Sequence, residues 1–228
     1  MRTIILSIII SLGSLVIGIT AGQSATNTIV EPITKRDPDL QKMIDSWAKG
    51  AETNGIVCAI DFAPSSRKGS PIFYVNLINE TTNFIRGLLR IPFDGHANIE
   101  LLDPKGKPAP KTDAGKKVGA WTDQQIKDWF ENHREKPFGE KKPRGIADIL
   151  FPLWPATISN GINLAQMFQL KQAGEYTLHF QMRVAQTKLN TSGETELNIF
   201  WLPEVIAKVQ VRPEDIPPEN VQTNSPAN

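Results

Sequence analysis

The chain has 228 residues, 40% of them apolar and 21% charged, so it is long enough for one substantial hydrophobic core or two small ones. Its 25 basic and 24 acidic residues give a formal net charge of +1, which argues against nucleic acid as a partner because no field attracts a polyanion. The only cysteine, Cys58, excludes an intramolecular disulfide, and its place in an apolar run predicts a buried structural thiol.

Residues 1–25 are typical of an export segment. One arginine, Arg2, precedes an apolar run from Thr3 to Ala21, and small residues follow. This run is also close to the ~20 residues that span a bilayer. Two alternatives stay open: a cleaved secretory signal peptide and a retained N-terminal membrane anchor. Both predict a periplasmic or extracellular protein, and only the second predicts contact with a membrane.

Residues 26–54 are expected to form a linker and then an amphipathic helix. Asp37 suits the helix N-cap, Pro38 the first helical position, and Gly50 the position just past the helix end. One apolar stripe runs along this helix at helical spacing: Leu40, Met43, Ile44 and Trp47. The stripe predicts a helix that covers one end of the following domain, and the alternative is a helix that binds a partner.

Residues 55–212 are predicted to be a β-sandwich of about seven antiparallel strands. The strand-like runs are 55–63, 71–79, 84–91, 97–102, 163–170, 175–185 and 196–211. Pro203 is expected to bend or interrupt the last of them. A helical insert, 104–148, lies between the fourth and fifth strands, and Thr122 and Gln125 have the spacing of a capping box within it. The tail, 213–228, is predicted to be disordered because it has almost no apolar content. The fold class is therefore all-β with small helical additions.

The stretch that begins at Gly174 carries the most specific indication of the fold. Gly174 permits the turn that leads into a strand, in which alternate residues are expected to face the core: Tyr176, Leu178, Phe180, Met182 and Val184. The hydroxyl of Tyr176 can fold back onto the preceding corner, which resembles the tyrosine corner of immunoglobulin-like and fibronectin-like sandwiches. The cysteine and tryptophan of antibody domains are missing, so the resemblance is to this broad architecture and to no single family. It implies a fold and no function.

The sequence shows no recognisable catalytic or metal-binding pattern. Its three histidines, His96, His133 and His179, match no zinc template, and an Asp-Gly turn explains the one pair of potential ligands in a single loop, Asp94 and His96. No serine stands in a nucleophile elbow, and no glycine-rich phosphate loop occurs. We therefore predict no catalytic residue, no metal and no cofactor.

The segment LFPLWPATI, residues 150–158, is the strongest candidate for a contact site. Its two prolines exclude a central strand, so Phe151, Leu153 and Trp154 are expected along an edge or on the surface. There they either close the core as a flap or bind a partner. A second candidate binding face would form if the strands that carry four outward-facing residues are neighbours: Arg86, Arg90, His179 and Arg183. The alternative is that these residues form a merely solvated face.

These features favour an exported, non-catalytic binding or adaptor module that contacts a protein or an envelope polymer. Two alternatives stay open. One is a hydrolase of extracellular polymers, whose paired carboxylates are brought together only by the fold. The other is a proteinase-inhibitor-like domain that presents a loop.

Overall fold

The structure is a computed structural model, and it describes residues 35–63, 71–88, 93–119, 121–133, 148–159, 161–189, 191–192 and 195–216. The predicted export segment, the linker to residue 34, Arg90 and the tail from residue 217 lie outside the described residues. Within the described part, no helix is both long enough and apolar enough to cross a membrane.

The described residues form a fold dominated by antiparallel β-sheet. Eleven strands are present among them: β1 (Ala48–Lys49), β2 (Ile56–Phe62), β3 (Ile72–Asn79), β4 (Ile85–Leu88), β5 (Ala97–Leu102), β6 (Asp148–Leu150), β7 (Pro155–Thr157), β8 (Ile162–Asn163), β9 (Gly174–Leu189), β10 (Thr195–Trp201) and β11 (Val205–Val211). The helices in the same residues are α1 (Pro38–Asp45), α2 (Phe93–His96), α3 (Asp113–Lys116), α4 (Asp123–His133) and α5 (Leu164–Met167), with a 3₁₀ turn at Pro213–Asp215.

The first sheet has the strand order β1-β2-β3-β7, and the short strand β8 pairs with β3 as well. All of its pairs are antiparallel, with Cys58 opposite Leu77 between β2 and β3. The second sheet is built around the long strand β9. Its first half is flanked by β5 and β11, and its second half by β4 and β10, with β6 added beyond β4.

The main hydrophobic core lies between the two sheets, as in a β-sandwich. The predicted alternation along β9 is confirmed, because its five expected core residues are all buried: Tyr176, Leu178, Phe180, Met182 and Val184. Phe180 meets Phe73 of β3 edge to face, with their ring centroids 6.1 Å apart. This pair joins the two sheets at the centre of the core.

Two helices cover parts of the outer faces of the sheets. Helix α1 packs Ile44, with the following Trp47, against the first sheet at Val57, Ala59 and Ile78. Helix α4 packs Ile126 against the second sheet at Ala185, with Leu197 and Ile199 beside it. Each helix thus buries a short apolar stripe of its own and the outward-facing apolar residues of a sheet.

The approach to α4 depends on a glycine. The ring of Trp121, just before α4, lies so close to Gly95 that a Cβ atom there would be 2.3 Å from Trp121 Cε2. The backbone N–H of Trp121 also donates to the carbonyl oxygen of Gly95 at 2.7 Å. The Asp-Gly stretch, expected to be a simple turn between strands, is instead part of the one-turn helix α2. The ring of Trp121 packs against this helix at Gly95.

The turn before β9 is closed by a tyrosine. The hydroxyl of Tyr176 donates to the carbonyl oxygen of Gln172 at 2.9 Å, and the ring is buried. Gly174 has a φ of +140°, and a Cβ there would lie 2.7 Å from Cγ of Pro104. Both the backbone conformation and the close approach of Pro104 require glycine at this position.

Several element boundaries differ from the predictions. Helix α1 ends at Asp45 and not near Gly50, because Ser46 caps it and the residues after Trp47 pair with β2. The run 163–170, expected to be a strand, contains α5, since the side chain of Asn163 caps the helix by accepting from the N–H of Ala165 at 2.9 Å. The described residues contain more than the seven predicted strands. The additional ones are β1, β6, β7 and β8, which have only two or three residues each and are too short to be predicted.

Candidate functional site

A turn of four residues, Phe151–Trp154, passes from the second sheet to the first, and we call it the aromatic turn. It follows β6, which pairs with β4, and precedes β7, which pairs with β3. Leu150 and Pro152 are buried, whereas 56% of Phe151 and 55% of Trp154 is exposed. The two rings therefore point away from the core, and the buried residues beside them fix the segment to the domain.

The backbone of the aromatic turn is strained at Leu153. Its φ is +56°, a conformation that costs a residue with a Cβ atom about 1–2 kcal/mol. The turn is closed by a hydrogen bond from the N–H of Trp154 to the carbonyl oxygen of Phe151, at 3.2 Å. Strained residues persist only where their surroundings hold them in place. The surroundings of Leu153 are therefore part of the site.

Arg36 holds the aromatic turn. Its Nε donates to the carbonyl oxygen of Leu153 at 2.7 Å, and its two terminal nitrogens donate to Gln41 at 2.9 Å and to Glu80 at 3.0 Å. Only 8% of the Arg36 side chain is exposed. A guanidinium presents several donors in a fixed plane, so one side chain links the turn to the start of α1 and to the end of β3.

A third aromatic ring lies beside the turn. Phe84 is 50% exposed, and its ring meets that of Phe151 edge to face with the centroids 5.5 Å apart. We call Phe84, Phe151 and Trp154 the aromatic patch. Exposed large hydrophobic residues in the described part of the chain are these three together with Met43 and Ile206. The patch therefore gathers most of the exposed large apolar side chains of the described residues.

Asn79 positions both segments that carry the patch. It is fully buried, and its Nδ2 donates to the carbonyl oxygens of Asn83 at 2.7 Å and Leu150 at 3.2 Å. Its Oδ1 accepts from the N–H and the hydroxyl of Thr81, at 2.9 and 2.8 Å. A buried amide whose donors and acceptor are all used fixes the loop before Phe84 next to the strand before Phe151.

The second candidate binding face is only partly described. Strand β4, which carries Arg86, pairs with β9 at Leu88 and Gln186, three residues along β9 from Arg183. His179 is seven residues from that pair and lies opposite Glu100 of β5 and Ile206 of β11, so the structure does not bring it beside β4. The structure does not describe the side chain of Arg86. The Nδ1 of His179 lies 3.2 Å from a carboxylate oxygen of Glu204, and the histidine is half-buried on the outer face of β9.

The side chain of Arg183 is bonded to residues of the helical insert. Its guanidinium donates to the carbonyl oxygen of Trp121, pairs with the carboxylate of Asp123 at the start of α4, and lies 5.0 Å from the ring centroid of Trp201. Only 10% of this side chain is exposed, and burial lowers its pKa below the ordinary arginine value. Arg183 therefore fastens α4 to the second sheet. Its assignment to a binding face stays a prediction.

Two observations in the described residues concern metal binding and thiol chemistry. No group of three or more histidine, cysteine, aspartate or glutamate side chains among them could hold a metal ion. Cys58 is buried as predicted, and burial raises the pKa of its thiol to about 12. A thiol with this pKa stays protonated at neutral pH and is a poor nucleophile. His96 is buried, and the side chain of His133 lies outside the described part.

Sequence reasoning selected the aromatic turn and missed the residues that hold it. The sequence pattern predicts a linker at Arg36, the start of a strand at Phe84 and the end of another strand at Asn79. Two prolines around aromatic residues were enough to indicate a surface segment. The pairing of the three-residue strand β6 with β4 brings Phe84 to Phe151, and nothing in one dimension indicates it.

Comparisons of the chain with protein-family models, with curated proteins and with solved structures find no match. The case for a function therefore depends on the site itself.

Proposed function

We propose that the protein is an exported, non-catalytic binding module that contacts its partner through the aromatic patch. The observation that carries this proposal is the exposure of Phe84 and Phe151, whose rings meet edge to face, together with the exposure of Trp154 on the same four-residue turn as Phe151. Burying large apolar side chains is the main source of binding free energy, and aromatic residues dominate the contact sites of proteins. A domain that leaves three such rings in water therefore has a surface suited to a partner.

The rigidity of the turn supports the same proposal. Two prolines restrict the segment, Leu153 is held at a positive φ, and Arg36 binds its carbonyl oxygen. A partner meets rings that are already in place, so little conformational entropy is lost on binding. A flap whose task is to close the core would instead bury Phe151 and Trp154.

The finer fold assignment, an immunoglobulin-like sandwich, is part of the proposal. It is supported by two facing antiparallel sheets and by the hydrogen bond from Tyr176 back to Gln172. We propose a protein or an envelope polymer as the partner, as the sequence analysis favours. Export itself is proposed on the N-terminal apolar run from Thr3 to Ala21.

The proposal can be tested by measuring association with the cell-envelope fraction. The tagged chain would be compared with a Phe151→Ala/Trp154→Ala double variant and with Ile206→Ala. Ile206 is a matched control, because it is 55% exposed and lies on the outer face of β11. All three proteins would first be checked for equal stability by urea unfolding.

We expect the double variant to lose binding on the order of tenfold or more, as is usual for the central aromatic residues of an interface, while Ile206→Ala binds like the wild type. Equal binding by the wild type and the folded double variant would exclude the aromatic patch as the contact site.

A further inference from the structure

We propose that the partner of the aromatic patch is a lipid surface, namely the membrane in which the chain's own N-terminal apolar segment, residues 3–21, stays inserted. This inference rests on the proposed function, because it names a partner for the same patch. It adopts the membrane-anchor alternative for the N-terminal segment.

The chemistry of the patch fits a membrane interface. Phenylalanine and tryptophan side chains are apolar enough to enter the headgroup region, and tryptophan is enriched at that depth. Two polar side chains beside the patch are already engaged: Arg36 with Glu80 and Leu153, and Asn79 with Thr81, Asn83 and Leu150. A polysaccharide would need free donors and acceptors for its hydroxyl groups. The three exposed rings and the engagement of Arg36 and Asn79 therefore favour lipid over a sugar polymer.

The point where the chain enters the domain is the second observation. Arg36 is among the first described residues, and its Nε donates a hydrogen bond to the carbonyl oxygen of Leu153 in the aromatic turn at 2.7 Å. Any segment that precedes Arg36 is consequently attached beside the patch. Only 13 residues, 22–34, separate the apolar run from Lys35, and a chain of that length spans at most about 45 Å. A retained anchor would thus keep the patch close to the bilayer.

This tether makes a weak surface contact sufficient. Three aromatic side chains alone would bind a membrane only weakly and reversibly. Attachment through a short linker turns the second contact into an intramolecular event, at an effective concentration in the millimolar range. Residues 22–34 carry one charged side chain, Glu31, so repulsion from an anionic surface is small. The anchor and the patch therefore act together, and the patch orients the domain on the membrane.

The proposal also predicts what kind of lipid is needed. The guanidinium of Arg36 is neutralised by Glu80 at 3.0 Å and is nearly buried, so it offers no free positive charge to an acidic headgroup. Membrane binding of the domain through aromatic side chains should depend little on the fraction of anionic lipid or on the salt concentration. A polybasic contact would show the opposite behaviour.

The test uses the full 228-residue chain in lipid vesicles, with a fluorescent probe of polarity on one introduced cysteine. Trp154→Cys and Phe151→Cys place the probe in the patch, and Ile206→Cys is the matched exposed control on the second sheet. Native Cys58 does not interfere, because it is buried and its thiol pKa is about 12. Depth is measured by probe emission and by quenching with lipids that are brominated near the headgroup.

We expect the probe at position 151 or 154 to shift to the blue and to be quenched, in neutral and anionic vesicles alike, while the probe at position 206 is unchanged. Probes at 151 and 154 that behave like the one at 206 would overturn the inference. If they do so while binding to envelope proteins still depends on the patch, the partner is a protein and only the proposed function stands. If binding to the envelope fraction does not depend on the patch either, both proposals fall. A mature protein that begins after residues 21–25 would likewise overturn the inference.

Discussion

Arg36 and Leu153 are 117 positions apart in the chain, and the side chain of the first donates to the backbone carbonyl of the second at 2.7 Å. The same guanidinium reaches Glu80 at the end of β3. One nearly buried arginine thus unites the start of the domain, the first sheet and the turn that displays Phe151 and Trp154. This side chain therefore acts together with the β4–β6 pairing and Asn79 in presenting the aromatic patch.

Replacement of this arginine is the first prediction. Arg36→Ala removes three hydrogen bonds from a charged donor, so we expect the free energy of unfolding to fall by about 1–3 kcal/mol. Urea unfolding measures this change. Lys49→Ala is the control, since Lys49 pairs with the exposed Asp45 on the surface and should leave stability unchanged. Indistinguishable stabilities for the two variants would contradict the role given to Arg36.

The buried tyrosine before β9 gives the second prediction. Tyr176→Phe keeps the ring in the core and deletes only the donor to Gln172, so stability should decrease by about 0.5–1.5 kcal/mol. The protein has one other tyrosine, Tyr74, on the outer face of β3, and Tyr74→Phe should change stability by less than about 0.5 kcal/mol. Thermal unfolding of the two variants side by side compares them. A Tyr176→Phe protein as stable as the wild type would show that the corner bond contributes nothing.

The third prediction concerns the docking of α4. Gly95→Ala forces a methyl group to within 2.3 Å of the ring of Trp121, so we expect a loss of about 1–3 kcal/mol and faster amide hydrogen exchange in α4. Gly119→Ala is the matched control, because a Cβ atom there meets nothing within 4 Å. Unchanged exchange in α4 of the folded Gly95→Ala protein would mean that Trp121 does not hold the helix.

The fourth prediction follows from the buried thiol. Burial raises the pKa of Cys58 from 9.0 to about 12, so above pH 9 the unfolded chain loses a proton that the folded chain keeps. This contribution to the free energy of unfolding is therefore intact below pH 9 and decreases above it, by up to ~1.4 kcal/mol per pH unit until about pH 12.

The measurement is the free energy of unfolding at several alkaline pH values for the wild type and for Cys58→Ala. The variant lacks the titrating thiol, so its stability should fall less steeply above pH 9. Parallel curves would show that the thiol is accessible to solvent in the folded protein. Slow labelling of native Cys58 by a thiol reagent, fast only in denaturant, gives an independent check.

The fold could be read from the sequence where local pattern and tertiary environment agree. Strand β5 falls at the predicted 97–102, and the alternation along β9 identified its core face, because one side of each strand meets the other sheet. The pattern failed at 163–170, where a short polar side chain, Asn163, caps a helical turn inside an apolar run. It also failed for β1, β6, β7 and β8, which are too short to show any periodicity.

Part of the candidate site could likewise be predicted from local sequence, and part could not. Prolines next to aromatic residues indicated a surface segment from local chemistry alone, and Phe151 and Trp154 are exposed. Strand parity placed Arg183 correctly on the outer face of β9, but the expectation that it faces water is wrong, because only 10% of its side chain is exposed. Parity says nothing about a helix from a distant insert that covers the face, and α4 covers this one. Contacts such as Arg36 with Leu153 exist only after the chain folds.

The most direct test of the central claim is a footprint of the exposed side chains. The protein would be labelled with a photoactivated carbene, alone and in its native envelope fraction, and the modified residues quantified by mass spectrometry. The account predicts lower labelling of Phe84, Phe151 and Trp154 in the envelope fraction, with Met43 and Ile206 labelled equally in both samples. Equal labelling of the three aromatic residues in the two samples would contradict it.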